Sequence, residues 1–332
     1  MVSAVIFVAT SCVSPLTGFA FWETNLAYEG ESIYNYLQVK NLSDRTILST
    51  NVLFGVQSVT MKDKGLTGMY YDTALAAPAL ADNANSALIL GMGTGTYARQ
   101  LKQYYPKMNI TGVEIDQKIT DLAGEYFDEP ADIPVTTYDG RAWLAASHDK
   151  YDVIMVDAYQ DITIPFQMSS TEFFTMVREH LNPGGVMVVN MNTDGQGSIN
   201  EALSDTIASV FGNGNTLTAD VPNTTNRELF AKKPGSGSEE NSMQQASKAL
   251  NLRETTYERT GSEDLEWYKE EVASRFRKVN EPDSASTILT DDKAPVEVLG
   301  MHAIDQIIAD EAGPYRQILK DEGFGGLLRA VQ

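Results

Sequence analysis

Four stretches between residues 90 and 157 carry side chains of the kinds that hold a nucleoside or move a proton. The first is Leu90-Gly91-Met92-Gly93-Thr94-Gly95, in which the glycines permit a tight turn and a close approach of backbone to a ligand. The second is Val113-Glu114-Ile115-Asp116. Glu114 follows Gly95 by 19 residues, the separation at which an acidic side chain at the end of the next strand can accept from both ribose hydroxyls. The third, Tyr138-Asp139-Gly140, offers a carboxylate to an adenine amino group, and the fourth is Val156-Asp157. An Asp at a strand tip also caps a following helix, so Asp139 has that ordinary role open to it.

The elements that would position these residues follow from periodicity. Apolar runs at 87–92, 110–115, 134–139, 152–157 and 185–191 alternate with amphipathic stretches at 96–105, 117–127, 140–147, 170–181 and 198–211. This is the βαβ series of an α/β fold with a doubly wound, mostly parallel sheet, and it puts all four polar strand ends on one carboxyl edge. Asn182-Pro183-Gly184-Gly185 predicts a helix stop and turn before the fifth strand, and 216–221 and 228–232 read as further strands. Ahead of this unit, β-rich runs at 33–39, 46–53 and 55–61 predict a small antiparallel sheet. The expected organisation is an apolar segment over 1–28, an N-terminal β-rich domain over 29–80, a nucleoside-binding domain over 81–233, and a linker with a mostly helical region over 234–332. In that last region Leu265, Tyr268, Val272 and Phe276 form one amphipathic face.

The glycine spacing bears on the ligand. A dinucleotide site usually asks for G-x-G-x-x-G with a helix N-terminus under a pyrophosphate, whereas Gly91, Gly93 and Gly95 are spaced G-x-G-x-G. A sulfonium nucleoside has no phosphate to hold and suits the shorter loop. With 42% hydrophobic residues the chain has the composition of a globular protein. Its net charge of -20 repels nucleic acid and anionic membrane surfaces and favours cationic partners. A single cysteine, Cys12, excludes an internal disulfide, and three scattered histidines give no zinc spacing, so no metal is expected. The first 22 residues carry no charged side chain and read as a remnant of a membrane domain, with a strand-rich start packed on the core as the alternative.

Taken in order, these features resemble the spermidine synthase family, the polyamine aminopropyltransferases, and most closely the branch in which that domain follows a membrane domain. The resemblance covers about residues 29–233, through Glu31-Ser32-Ile33-Tyr34-Asn35, Gly55-Val56-Gln57, Tyr70-Tyr71-Asp72, the glycine loop, and the strand ends at Glu114, Asp139 and Asp157. The tail segment 289–299 also has the character of that branch. The resemblance implies the Rossmann-like fold of S-adenosylmethionine-dependent transferases. It implies too that decarboxylated S-adenosylmethionine is the co-substrate and a small amine or polyamine the acceptor. By position, Gly91, Gly93, Thr94 and Gly95 would lie under the nucleoside, Glu114 on the ribose, Asp139 and Gly140 on the adenine, and Asn35 nearby. Asp157 would hold the reacting amine or the donor chain, with Tyr71, Gln160 and Asp161 as further catalytic candidates, and Tyr70, Tyr71 and Tyr159 would line the acceptor pocket.

Two positions depart from the family pattern. Thr94 stands where an Asp usually holds the donor's amino group, and Gln160 replaces a second Asp, with Asp161 one residue on as a substitute. Both changes remove negative charge from a site meant for two ammonium groups. The apolar run Asp161-Ile162-Thr163-Ile164-Pro165-Phe166-Gln167 occupies the place of a lid. Thr94 keeps open an enzyme of the same fold that uses intact S-adenosylmethionine for methyl transfer, cyclisation or elimination, and a non-catalytic nucleoside sensor is a third reading. Donor supply points to the cytoplasm. Membrane attachment through the N-terminal segment and a homodimer are further expectations.

Overall fold

The computed structural model describes residues 23–51, 55–63, 65–128, 130–158, 164–192, 198–224, 226–235, 249–282, 286–296 and 298–299, with short pieces between 313 and 326. The apolar segment 1–22 lies outside the described residues, and among those described no helix is long and apolar enough to cross a membrane.

The chain opens with an antiparallel sheet in the order β1 (Leu26–Glu31), β2 (Tyr36–Asn41), β3 (Arg45–Thr50), β4 (Ser58–Met61). Strand β1 begins inside the stretch that composition assigned to the apolar segment, because alternation in Leu-Ala-Tyr-Glu-Gly-Glu is too weak to announce a strand. Ile33, expected in a strand, lies in the β1–β2 turn and is 90% exposed. Two short helices follow, α1 (Tyr70–Ala74) and α2 (Ala77–Leu80), whose residues are buried in the main core.

The parallel part of the second sheet consists of β5 (Ser86–Leu90), β6 (Asn109–Glu114), β7 (Val135–Thr137), β8 (Tyr151–Val156) and β9 (Leu181–Asn192). Helices α3 (Thr96–Tyr104), α4 (Gln117–Tyr126), α5 (Gly140–Ala146), α6 (Thr171–His180) and α7 (Ser198–Phe211) alternate with them. Every residue of β8 is buried, as expected of a strand covered on both faces. Three of these helix starts are set by side chains that accept from the first turn: Asp116 from Lys118, Asp139 from Ala142 and Ser170 from Phe173. The sheet is completed by β10 (Thr216–Asp220), β11 (Asn226–Lys232) and, after α8 (Ala249–Thr260) and α9 (Glu263–Arg275), β12 (Phe276–Lys278). Its order is β12-β10-β11-β9-β8-β5-β6-β7.

One feature differs from the sequence reading and one adds to it. Asn182-Pro183-Gly184-Gly185 does not end a helix in a free turn. It forms a bulge inside β9, where pairing jumps from Tyr151–Leu181 to Val153–Val186 and Gly184 takes φ +78°. The C-terminal region is also not only helical, since β12 adds an edge strand to the main sheet, antiparallel to β10. Three residues are too few for alternation to show. The face Leu265, Tyr268, Val272 and Phe276 packs on the core beside Tyr97 and Phe230.

The N-terminal sheet is fastened to this frame by packing and by hydrogen bonds. Leu37, Val39 and Leu48 share a core with Ile119 and Leu122 of α4, and Val59 of β4 exchanges hydrogen bonds with Thr96 at the start of α3. Strand order reverses between β5 and β8, so a crevice opens at their carboxyl ends.

Candidate active site

That crevice is a cavity of about 270 Å3 between the carboxyl edge of the large sheet and the N-terminal sheet. Gly91 and Gly93 form its floor, joined by Glu114, Asp139, Gly140 and Asp157 from the strand ends. Asn35, Tyr70 and Tyr71 enter from the N-terminal side. Strand topology thus brings together residues spread over more than a hundred positions of sequence.

Glu114 ends β6 and is 7% exposed. Its Oε2 accepts from the Gly93 N–H at 2.8 Å and its Oε1 from the Asp116 N–H at 3.0 Å. Burial raises its pKa above the ordinary carboxylate value, opposed by those backbone donors. The carboxylate is held in one orientation by the loop on which a nucleoside would rest. Asp139 both caps α5, through Ala142 at 2.7 Å, and lines the cavity. Asn35 donates to Asp116 at 3.0 Å and accepts from Asn51 at 2.9 Å, while Ser32 donates to the same Asp116 oxygen at 2.6 Å. Asp116 therefore ties the β1–β2 turn to the tip of β6. Sequence reasoning passed over it as a neighbour of Glu114.

Asp157 follows β8. Its Oδ2 accepts from the Tyr70 hydroxyl at 2.7 Å and its Oδ1 from the Asn190 amide at 3.1 Å. Burial pushes it up to about 7, partly offset by those two donors, and Glu114 adds a smaller upward push. A carboxyl balanced near neutrality is suited to take a proton from an ammonium group. Tyr70 is held well above the ordinary phenol range by burial and then by the Asp157 charge, so it remains a donor. Tyr71 stacks on it with ring centroids 4.0 Å apart and donates to the Gln57 carbonyl at 2.6 Å. Asn190 was not singled out from the sequence. The signal was present as an amide inside the apolar run Val186-Met187-Val188-Val189-Asn190-Met191, where a buried polar group needs a partner.

The close contact at the floor explains one glycine. A Cβ on Gly91, which has φ +87°, would stand 2.3 Å from the Asp157 carbonyl oxygen. Gly91→Ala is expected to cost roughly 1–3 kcal/mol in stability and to displace Asp157. Tm and turnover would then fall together in paired melting and activity measurements, and an unchanged Tm would contradict this contact.

Thr94 is not brought to the cavity. It is fully buried, its N–H donates to Ser58 Oγ at 3.2 Å, and its hydroxyl has no hydrogen-bond partner among the described residues. The left-handed turn at Gly93 directs the chain toward β4 rather than into the crevice. Gly95 caps α3 and is likewise set back from the cavity. Tyr159, Gln160 and Asp161 lie outside the described residues. The loop is described from Ile164, and Pro165, Gln167 and Met168 wall the cavity. This wall is braced by the tail segment. Arg141 of α5 donates to the Gln167 carbonyl at 2.8 Å and pairs with Asp291 at 2.5 Å, while Ser170 donates to the same Asp291.

Residues 69–230 match the spermine/spermidine synthase domain family. A probable polyamine aminopropyl transferase of Bifidobacterium longum is 98% identical over all of this chain, which spans 75% of that relative's length. The chain belongs to the spermine/spermidine synthase family. Among solved structures, a probable spermidine synthase from Corynebacterium glutamicum superposes with a TM-score of 0.56 at 20% identity, covering 80% of this chain and 99% of that one. A spermidine synthase in complex with the transition-state analogue AdoDATO gives 0.53 at 19% identity, with 63% and 74% covered. These two likenesses bear on the fold.

Proposed function

We propose that this chain transfers an aminopropyl group from decarboxylated S-adenosylmethionine to an amine. Family membership supports the reaction class, and one observation carries the choice of donor. Among the described residues lining the cavity none is Lys, Arg or His, whereas Glu114, Asp139 and Asp157 all are present. Residues 159–163, from their types, add no cation. A methionine carboxylate would enter this acidic cavity without a counter-ion, and a buried unpaired charge is costly. A decarboxylated donor brings only cations.

In this reading Glu114 accepts from the ribose hydroxyls, and Asp139 with Gly140 faces the adenine. The sulfonium is already a good leaving group, so the protein's work is positioning and deprotonation. Asp157 takes a proton from the acceptor's ammonium, and the freed nitrogen attacks the carbon next to sulfur. The N–C bond forms as the C–S bond breaks, and the electron pair stays on sulfur, leaving neutral methylthioadenosine. Tyr70 and Asn190 keep Asp157 aimed at the nitrogen. Donor supply puts the reaction in the cytoplasm.

Calorimetry with both donors, followed by mass spectrometry of the products, tests this. The expected result is tight binding of the decarboxylated donor, weak binding of the intact one, and one methylthioadenosine released per aminopropylated amine. Preference for the intact donor, or a methylated product, would overturn the reading.

A further inference from the structure

Among the described residues of the tail segment 289–299 none lines the cavity, yet the segment is built into the cavity's wall. Leu289 and Val296 are fully buried in the core that also holds Met168 and Phe173. The Leu289 carbonyl accepts from the Thr171 N–H at 2.9 Å, and its own N–H donates to Thr206 Oγ1 at 2.9 Å. Between those anchors the chain lays Asp291 against α5 and the start of α6. Its carboxylate accepts from Arg141 Nη1 at 2.7 Å, from Arg141 Nη2 at 2.5 Å and from the Ser170 hydroxyl at 2.5 Å, while its N–H donates to Glu172 at 3.0 Å.

This bracing meets the site at Arg141. The residue stands on the first turn of α5, next to Gly140, and its Nη1 also donates to the Gln167 carbonyl at 2.8 Å. A Cβ on Gly140 would lie 3.6 Å from the Met168 methyl, so the Asp139–Gly140 turn and the 165–168 wall stand against each other. A single guanidinium spans the two, and the bidentate bond to Asp291 fixes its plane. Arg141 holds the Asp291 carboxyl below the ordinary carboxylate range and is itself raised by Asp291, so the pair stays ionised at neutral pH. Its side chains are 21% and 40% exposed, a depth at which an ion pair adds little to global stability. What it can set is a local distance.

We propose that Asp291 is a positioning residue for the nucleobase end of the site: acting through Arg141, it fixes the 165–168 wall against the Asp139–Gly140 turn and so sets the width of the slot that takes the adenine. The inference deepens the reading above and rests on its placement of the adenine. It concerns nucleoside binding rather than proton transfer, because Asp157 is held by a separate set of bonds, from Tyr70 and Asn190.

The test compares Asp291→Asn with the unaltered chain in four quantities: methylthioadenosine affinity by calorimetry, kcat with decarboxylated S-adenosylmethionine, KM for 1,4-diaminobutane, and Tm. Asparagine keeps the size of the side chain and an oxygen for Ser170 but gives up the bidentate ion pair. Nucleoside affinity should fall roughly tenfold as the slot loses its preset width, while kcat and the amine's KM stay within roughly twofold and Tm within a few degrees. Arg141→Gln should give the same pattern, and the double variant should be no worse than either single one, since the two residues act as one unit. Unchanged nucleoside affinity, losses shared equally by nucleoside and amine, or additive losses in the double variant would overturn the assignment. So would an Asp291→Asn chain that does not fold, because a pair that only positions cannot be holding the fold. The binding arm needs no turnover: a chain that binds methylthioadenosine yet aminopropylates no amine refutes the transfer and leaves the role of Asp291 to be read from affinity, whereas a chain that binds no nucleoside refutes both.

Discussion

Asp157→Asn is expected to lower kcat by about 10²–10⁴, the usual worth of a positioned general base, while methylthioadenosine affinity stays close to that of the unaltered chain. The amide keeps the size of the carboxylate and an oxygen for Tyr70, but it has no site for the amine's proton. The pH dependence gives the same residue a second signature. With Asp157 raised to about 7 by burial, kcat/KM of the unaltered chain should climb through an acid limb near that pH as the base ionises. The limb in kcat should lie lower, because a bound cationic amine favours the ionised form.

Stability must move the other way. A carboxyl raised in the native state binds a proton that the unfolded chain has already lost, between the ordinary carboxylate range and about 7. Its contribution is fully present below the unfolded value and disappears as pH rises through the native one. The Asn variant does not titrate, so it should melt above the unaltered chain at pH 8 and lose that advantage toward pH 4. Melting curves at both pH values, beside the rate measurement, check both halves. A variant that turns over normally would remove Asp157 from the chemistry.

The parts of this site that periodicity made legible share one property: each ends an apolar run. Glu114, Asp139 and Asp157 interrupt buried strands at their carboxyl tips, and a doubly wound sheet places all such tips on one edge. Thr94 was not legible in that way. Its direction depends on the turn angles at Gly91 and Gly93, which composition leaves open, and the structure turns it away from the cavity. Asn190 gave only a faint signal, one polar residue in an otherwise apolar stretch. Its meaning depends on the pairing of β9 with β8, which is a long-range fact. The same is true of Asp291, whose bond to Arg141 joins residues 150 apart. Periodicity reads what is local to an element, and contacts of this kind are settled by which strands become neighbours.

Glu114→Ala should have the largest effect on ligand binding. The side chain takes two backbone N–H groups with one oxygen each, and its remaining lone pairs are those offered to the ribose. Charged hydrogen bonds contribute about 1.5–3 kcal/mol each, so losing both ribose contacts lowers nucleoside affinity by roughly 10²–10⁴. The Gly93 and Asp116 N–H groups lose their acceptor as well, which loosens the glycine loop. Calorimetry with methylthioadenosine measures the total. It does not by itself separate loss of the ribose contact from collapse of the loop, whereas a double-difference measurement does. Removing the 2'-hydroxyl from the ligand should cost the unaltered chain roughly tenfold or more and should cost Glu114→Ala almost nothing, because the partner is already gone. If the deoxy ligand loses as much on the variant as on the unaltered chain, the ribose is held elsewhere, and Glu114 serves only to brace the loop beneath it.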